Sequence, residues 1–307
     1  MGVPAGDARL NIDEAVLLGH ALVARVADSR GIRAFFIKGP ASVAQGLRPP
    51  KTSVDVDVFV APADLEFLLA GLHQRGWRKR TADEDERVFP THSATLNHPF
   101  WPCHIDIHFR FPGMERDPAD AFQAMWAHTE FLELAGQGVR VPSKALGIVI
   151  LALHALRAPH LQVSQRELSF LRDLSAREAL GPTVLEISAA TDALAAMRPF
   201  LEELVPGPAM VDWPSASTEW RNRLISKEPG SARIIGILQA PLRDKPRMLR
   251  TALLPPDTVY LSKDPYADLS QRGRLRAYGS RWARFLRASP RLAQDLATYW
   301  KDRNTRP

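Results

Sequence analysis

Two short runs hold the residues best suited to chemistry: Val54-Asp55-Val56-Asp57-Val58 and His104-Ile105-Asp106-Ile107-His108. Side chains alternate along a strand, so Asp55 and Asp57 share one face while Val54, Val56 and Val58 turn to the core. Carboxylates this close disfavour each other unless a cation is shared, and hard divalent ions prefer oxygen ligands. The second run places Asp106 on one face with His104 and His108. If the two strands are neighbours, three carboxylates converge. Such a triad can hold two ions about 3.5–4 Å apart, one for an attacking oxygen and one for a leaving group. The expected ion is Mg2+, with Mn2+ as the alternative. His104, Asp106 and His108 also spell a mixed nitrogen and oxygen site, the alternative of a metal-dependent phosphoesterase using a softer ion.

The residues before the first run supply a phosphate end. Phe35-Phe36-Ile37 reads as a short buried strand feeding Lys38-Gly39-Pro40, with Gly39 at the bend and Pro40 at the first helical position. The amides of Ala41, Ser42 and Val43 would then face an anion at a helix N-terminus, with the Lys38 charge beside them. Ser42 is the nearest hydroxyl. Arg48 and Lys51, in the following loop, either steer phosphates or decorate the loop. His154, Arg157 and Asp173 lie on expected helices that pack over the cleft, where His154 and His108 would stand behind the primary ligands. Asp173 reads equally well as a helix-pairing residue.

The elements that must position these groups are legible as an α+β pattern. Residues 13–29 have helical periodicity and a Gly31 stop, and Pro62 opens a second helix that ends at Gly76. Strands are expected at Arg33–Ile37, Val54–Ala61, Ser93–His98 and Cys103–Arg110, with a hairpin of Thr129–Leu134 and Val139–Ser143 around Ala135-Gly136-Gln137-Gly138. From Lys144 onward the patterning is helical. One helix is expected from Thr183 to Leu204, a Pro-rich crossing segment around 253–268, and a final helical pair whose second member starts at Ser289-Pro290. The natural cut falls near residue 142, giving a catalytic domain of residues 1–142 and a mainly helical substrate or accessory domain of residues 143–307.

The whole chain bounds the partners. Its 307 residues are 45% apolar and 24% charged, ordinary globular values. A single cysteine, Cys103, excludes an intrachain disulfide. The opening residues lack the basic-then-apolar profile of a secretion signal, and the longest apolar run is too short to span a bilayer, so a cytoplasmic protein without a membrane span is expected. The net charge of +6 is uneven: from residue 241 onward Lys and Arg outnumber Asp and Glu by 15 − 6 = +9, leaving −3 for residues 1–240. A basic end of this kind attracts phosphates, nucleic acid or an acidic membrane surface, or simply solvates a set of helices.

The order of Gly-containing turn, helix, D-x-D strand and later single-Asp strand resembles the DNA polymerase β nucleotidyltransferase superfamily. "IKGPASVAQG", "SVDVDVFV" and "HIDIHF" are similar to the motifs of the uncharacterised bacterial nucleotidyltransferase family within it. The likeness continues through "LHALRAP", "FLRDL" and "PPDTVYL", so it spans most of the chain. It implies a nucleotidyltransferase-like mixed sheet with helices. Asp55, Asp57 and Asp106 would be the catalytic metal ligands, and a nucleoside triphosphate such as ATP would lie against Lys38, Gly39, Ser42 and Lys51. A nucleotidyl group would pass to an unidentified acceptor, whether a small molecule, a peptide or protein, or RNA, as pyrophosphate leaves. The chain departs from the superfamily pattern in carrying Gly39-Pro40 where Gly-Gly or Gly-Ser is usual, and Lys51 where an arginine is common. These departures keep open a second reading, a catalytically inactive protein of the same fold that binds a nucleotide or a partner.

Overall fold

The computed structural model describes residues 10–80, 89–205, 207, 211–228, 230–254, 268 and 270–304. Helix α1, Ile12–Asp28, starts on a reciprocal cap: the Asn11 side chain accepts from the Glu14 amide and the Glu14 carboxylate accepts from the Asn11 amide. Its buried face carries Ala15, Val16, Val23 and Val26. Gly19 lets that face lie directly on the sheet, since a β-carbon there would sit 2.8 Å from Cγ2 of Val56.

Strand β1 (Ala34–Phe36) leads into the short helix α2 (Gly39–Ala44), and strand β2 (Asp55–Val60) follows. A 3-10 turn at Pro62–Asp64 then opens helix α3, Leu65–His73. Strands β3 (Arg78–Lys79), β4 (Ser93–Asn97) and β5 (His104–His108) complete a five-stranded sheet ordered β1-β2-β5-β4-β3. Strands β2 and β5 run parallel in the middle, and every other pairing is antiparallel. One face of β2 buries Val56, Val58 and Val60 against Val16, Val23, Leu68 and Leu72. Val54, expected on that face, lies before the strand and is 57% exposed. The two-residue β3 and helix α4, Pro118–Trp126, carry no clear periodic signal in the sequence.

The hairpin forms from β6 (Thr129–Leu134) and β7 (Gln137–Pro142) and turns through Ala135 and Gly136, both at positive φ. Helices α5 (Lys144–Leu156), α6 (Gln162–Arg177), α7 (Gly181–Ala190) and α8 (Leu194–Leu201) come next. The single helix expected from Thr183 to Leu204 is two, interrupted where Asp192 adopts φ 52°. Compactness places all four helices with the sheet, in a first unit that takes in the described residues to Arg80 and from His92 to Ser215. The division therefore does not coincide with the cut expected near residue 142. Helix α5 explains why: it is buried around nearly its whole circumference, which requires neighbours on every side, and β7, α6, α7 and α8 provide them.

The second unit holds Ala216 onward together with the segment ending at Thr91. Among its described residues the helices are α9 (Thr218–Ile225), α10 (Ser231–Gln239), α11 (Lys245–Leu253) and α12 (Gln271–Asn304). Ile225, Ile235 and Tyr299 are buried together, with Phe89, Ala232, Leu238 and Leu296 packed against them, and Trp220 and Leu292 are buried as well. Asp295, 6% exposed, fastens α12 to the start of α10 by accepting from the amides of Lys227 and Glu228 and the hydroxyl of Ser231. The expected final pair is one continuous helix with Pro290 inside it. Proline has no amide for the carbonyl of Leu286, and the hydroxyl of Ser289 donates to that carbonyl instead, at 2.8 Å. The Pro-rich segment lies for the most part outside the described residues.

Candidate active site

The parallel register sets Asp57 directly opposite Asp106, Asp55 opposite His104 and Phe59 opposite His108. Asp57, Asp106 and His108 therefore stand on one face of two adjacent central strands, with His108 on the diagonal from Asp57. One ligand atom from each lies within 4.8 Å of the others, and the three could hold a metal ion. Nε2 of His108 is 2.7 Å from Oδ1 of Asp57. The imidazole is kept in place by Phe59, stacked at 6.5 Å with an interplanar angle of 9°. Phe59 in turn stacks on Phe35 and Phe122, so an aromatic layer supports this face beside the acidic groups.

Lys38 completes the cluster. Its Nζ donates to the same Oδ1 of Asp57 at 3.0 Å and lies 6.0 Å from the centre of the Phe111 ring. Burial alone would push the Asp57 carboxyl up. The hydrogen bond from His108 and the Lys38 charge more than offset it, holding the group well below the usual carboxylate range. Asp55 goes the other way: burial, then the Asp57 charge, raise its carboxyl, with Asp106 adding to the effect and a 3.1 Å bond from the Ser53 hydroxyl opposing it. Oδ1 of Asp106 and Nδ1 of His108 are buried without a hydrogen-bond partner. An orphaned carboxylate oxygen beside a second carboxylate and an imidazole is the donor set a divalent cation fits.

The bend before α2 is built from two left-handed residues in succession, Lys38 at φ 61° and Gly39 at φ 48°. For Lys38 this conformation is costly, and its ion pair to Asp57 is one of the contacts that hold it. Ser42 is 3% exposed, and its amide is spent on the carbonyl of Lys38 at 3.2 Å rather than facing an anion. Gly39, not Pro40, is the first helical residue. Lys51 is exposed in the coil before β2. Arg48 pairs with Glu167 of α6.

From α5, His154 faces this region. Burial lowers its pKa to about 3, with further lowering from the charges of Arg157, Lys38 and Arg48 and an opposing pull from Asp57. His154 is therefore a neutral imidazole among cations and the acidic cluster. Asp173 is exposed on α6, its carbonyl accepting from Arg177. Of the residues singled out in the sequence, Asp57 is in contact with Lys38 and His108, Asp106 lies close beside them, and Asp55 and His154 are in electrostatic reach. The strength of the Lys38–Asp57 pair and the Phe111 contact carried no sequence signal. The place of His108 did: it alternates with Asp106 on one face.

A D-x-D strand beside a parallel single-Asp strand, approached by a Gly-containing bend, is the arrangement that the resemblance to nucleotidyltransferases implies. Residues 15–178, more than half of the 307-residue chain, match the family model described as an uncharacterised nucleotidyltransferase, and the chain belongs to that family. No curated protein matches the sequence significantly. Among solved structures, the antibiotic-resistance factor ANT(2'')-Ia is 15% identical, with 62% of this chain and 99% of that chain covered at a TM-score of 0.42. An antigenic nucleotidyltransferase-like protein from Paracoccidioides brasiliensis is 14% identical, covering 64% and 95% at a TM-score of 0.39. The lincomycin-bound lincosamide antibiotic adenylyltransferase LnuA is 11% identical, covering 50% and 94% at a TM-score of 0.34. Identity and TM-score are low in all three, and the family assignment stands on the sequence match.

Proposed function

We propose that the chain moves a nucleoside monophosphate from a nucleoside triphosphate to an acceptor with release of pyrophosphate. The observation that carries this reading is the convergence of Asp57, Asp106 and His108, with an orphaned Asp106 oxygen, beside the Lys38-Gly39 bend. Asp57 and Asp106 would hold the ion, most simply Mg2+, with Asp55 at the mouth as a further oxygen ligand. When bound, the ion would offset charge on the triphosphate and on the departing pyrophosphate.

The protein's own groups do the rest. Asp57 stays a carboxylate at any physiological pH because Lys38 and His108 hold it so. Asp106 orients the acceptor and takes the proton from its nucleophile as the new bond to the α-phosphorus forms and the bond to pyrophosphate breaks. Lys38, Gly39, Ser42 and Lys51 are assigned to the triphosphate. His154, held neutral, can accept or donate a hydrogen bond there without adding charge. Helices α5–α8, which share the sheet's unit, would bring the acceptor. Positioning and charge neutralisation supply most of the rate in this class of transfer.

The test is incubation with each labelled triphosphate, Mg2+ and a cell extract, reading both released pyrophosphate and the labelled acceptor. Asp57→Asn and Asp106→Asn should each lower transfer by on the order of 10²-fold or more while the fold survives. Full activity in both would remove the assignment. The Lys38–Asp57 ion pair, which occupies an oxygen meant for a metal, favours a second reading as a nucleotide binder without turnover. Calorimetric binding of triphosphate without pyrophosphate release across an acceptor screen would support that reading instead.

A further inference from the structure

Among the described residues, the first half of α12 is unlike any other helix. From Gln271 to Arg291 it carries seven arginines and no Asp or Glu. Helix α12 as a whole buries only Gly273, Leu292, Asp295 and Tyr299, so between Arg274 and Arg291 none of its residues is buried. Leu275, Trp282, Phe285 and Leu286 follow the three- and four-residue spacing of one helical stripe, with half-buried Tyr278 in line with them. Leu275 is 69% exposed, Leu286 65%, and Trp282 and Phe285 40% each. The arginines occupy the remaining circumference. In the same unit, α11 has no buried residue and exposes Leu249 and Leu253, and Arg281 of α12 donates to the carbonyl of its Ala252.

We infer that this half of α12 lies on an anionic lipid surface, with its apolar stripe in the headgroup boundary and its arginines among the phosphates. The charge selects among occupants. A second copy of the stripe would bring seven more arginines against the first seven, which repel. A nucleic acid would satisfy the arginines but leave Leu275 and Leu286 in water, since phosphate attraction needs no apolar contact. A bilayer with anionic headgroups satisfies both faces at once, and an amphipathic helix with Trp, Phe and Leu on one side and basic residues on the other is the form that binds there. No helix among the described residues is long and apolar enough to cross a membrane, so the association is peripheral.

The experiment is co-sedimentation of the full-length protein with phosphatidylcholine vesicles, with and without about 30% phosphatidylserine, at several salt concentrations. The expected result is binding to the anionic vesicles alone, weakened as salt rises. Leu275→Glu and Leu286→Glu change side chains that stand mostly in solvent, so folding is spared. Each should weaken sedimentation on the order of tenfold, and Arg284→Glu should do so to a similar extent. Circular dichroism of each variant confirms the helix content is kept. Three outcomes overturn the inference: no sedimentation with anionic vesicles, sedimentation indifferent to the two leucine changes, or displacement from the vesicles by a mixed transfer RNA at equal phosphate. The last two would hand the arginines to nucleic acid. None of the substituted residues belongs to the cluster around Asp57, so nucleotidyl transfer in solution should be unchanged. Loss of vesicle binding with transfer intact separates this inference from the enzymatic reading.

Discussion

At the scale of single residues, Asp57 is the point where opposing effects are decided. Its side chain is almost fully enclosed, and enclosure alone would favour the protonated acid. One oxygen receives both Lys38 and His108, and the pair outweighs the loss of water. Removing either partner should therefore move the Asp57 carboxyl upward. Lys38→Met deletes the charge while keeping a similar stem, and His108→Phe keeps the stack on Phe59 while deleting the hydrogen bond. Carbon-13 detection of the aspartate carboxyls should show one resonance titrating at higher pH in each variant than in the parent. A resonance that does not move in either would mean that the two contacts do not hold the charge. The same variants bear on turnover, since an Asp57 released from Lys38 is freer to meet an ion but less firmly ionised.

At the scale of elements, most of what positions the cluster was readable in advance. Alternation around Asp55 and Asp57 and around Asp106 gave the two strands and their shared face, because a period of two has no helical alternative over so short a run. The periodicity of residues 13–29 and the Gly31 stop likewise announce α1. What was not legible depends on partners distant in sequence. That Val54 stays out of the strand, that Lys38 turns onto Asp57 rather than toward solvent, and that α5–α8 join the sheet's unit are all set by packing that no local pattern encodes. Pro290 misled for a different reason. A proline after serine reads as a helix start, yet here the serine repairs the carbonyl the proline leaves bare.

Two predictions belong to elements. The β6–β7 turn places Ala135 at φ 51° ahead of Gly136, where an asparagine tolerates the left-handed region better. Ala135→Asn should raise stability by about 0.5–1 kcal/mol in urea unfolding. An unchanged or lower midpoint would show that the turn is not strained. In the second unit, Asp295→Ala leaves two amides and a hydroxyl without their acceptor, a loss of about 3 kcal/mol. Asp295→Asn keeps an acceptor and should recover part of the loss; equal damage from both would assign the effect to packing rather than to the hydrogen bonds.

At the scale of the whole molecule, His154 and Asp57 act in one direction on stability, while the raised Asp55 carboxyl acts in the other. His154 has a native value of about 3 against an ordinary 6.5, so below pH 6.5 the unfolded chain takes up a proton that the native one refuses. Stability is unaffected by this group above that pH and falls as pH drops toward 3, by at most about 1.4 kcal/mol per pH unit. Asp57 has the same sign at lower pH: its depressed carboxyl contributes stability above 3.8 that is lost as the solution becomes more acid. A chain that starts with a net charge of +6 gains more positive charge over the same range, and self-repulsion adds to the loss. The first decline on acidification, between about pH 6.5 and 4, therefore belongs to the two buried imidazoles, His154 and His20, both lowered by burial, before Asp57 begins to titrate. His154→Gln removes the titrating group with a similar reach and polarity. Urea midpoints measured at intervals through that window should fall steeply for the parent and more shallowly for the variant, with the two converging in slope above pH 6.5. Parallel slopes throughout would mean that His154 accepts a proton in the native state, so that neither its burial nor the charges of Arg157, Lys38 and Arg48 weigh against the imidazolium as described.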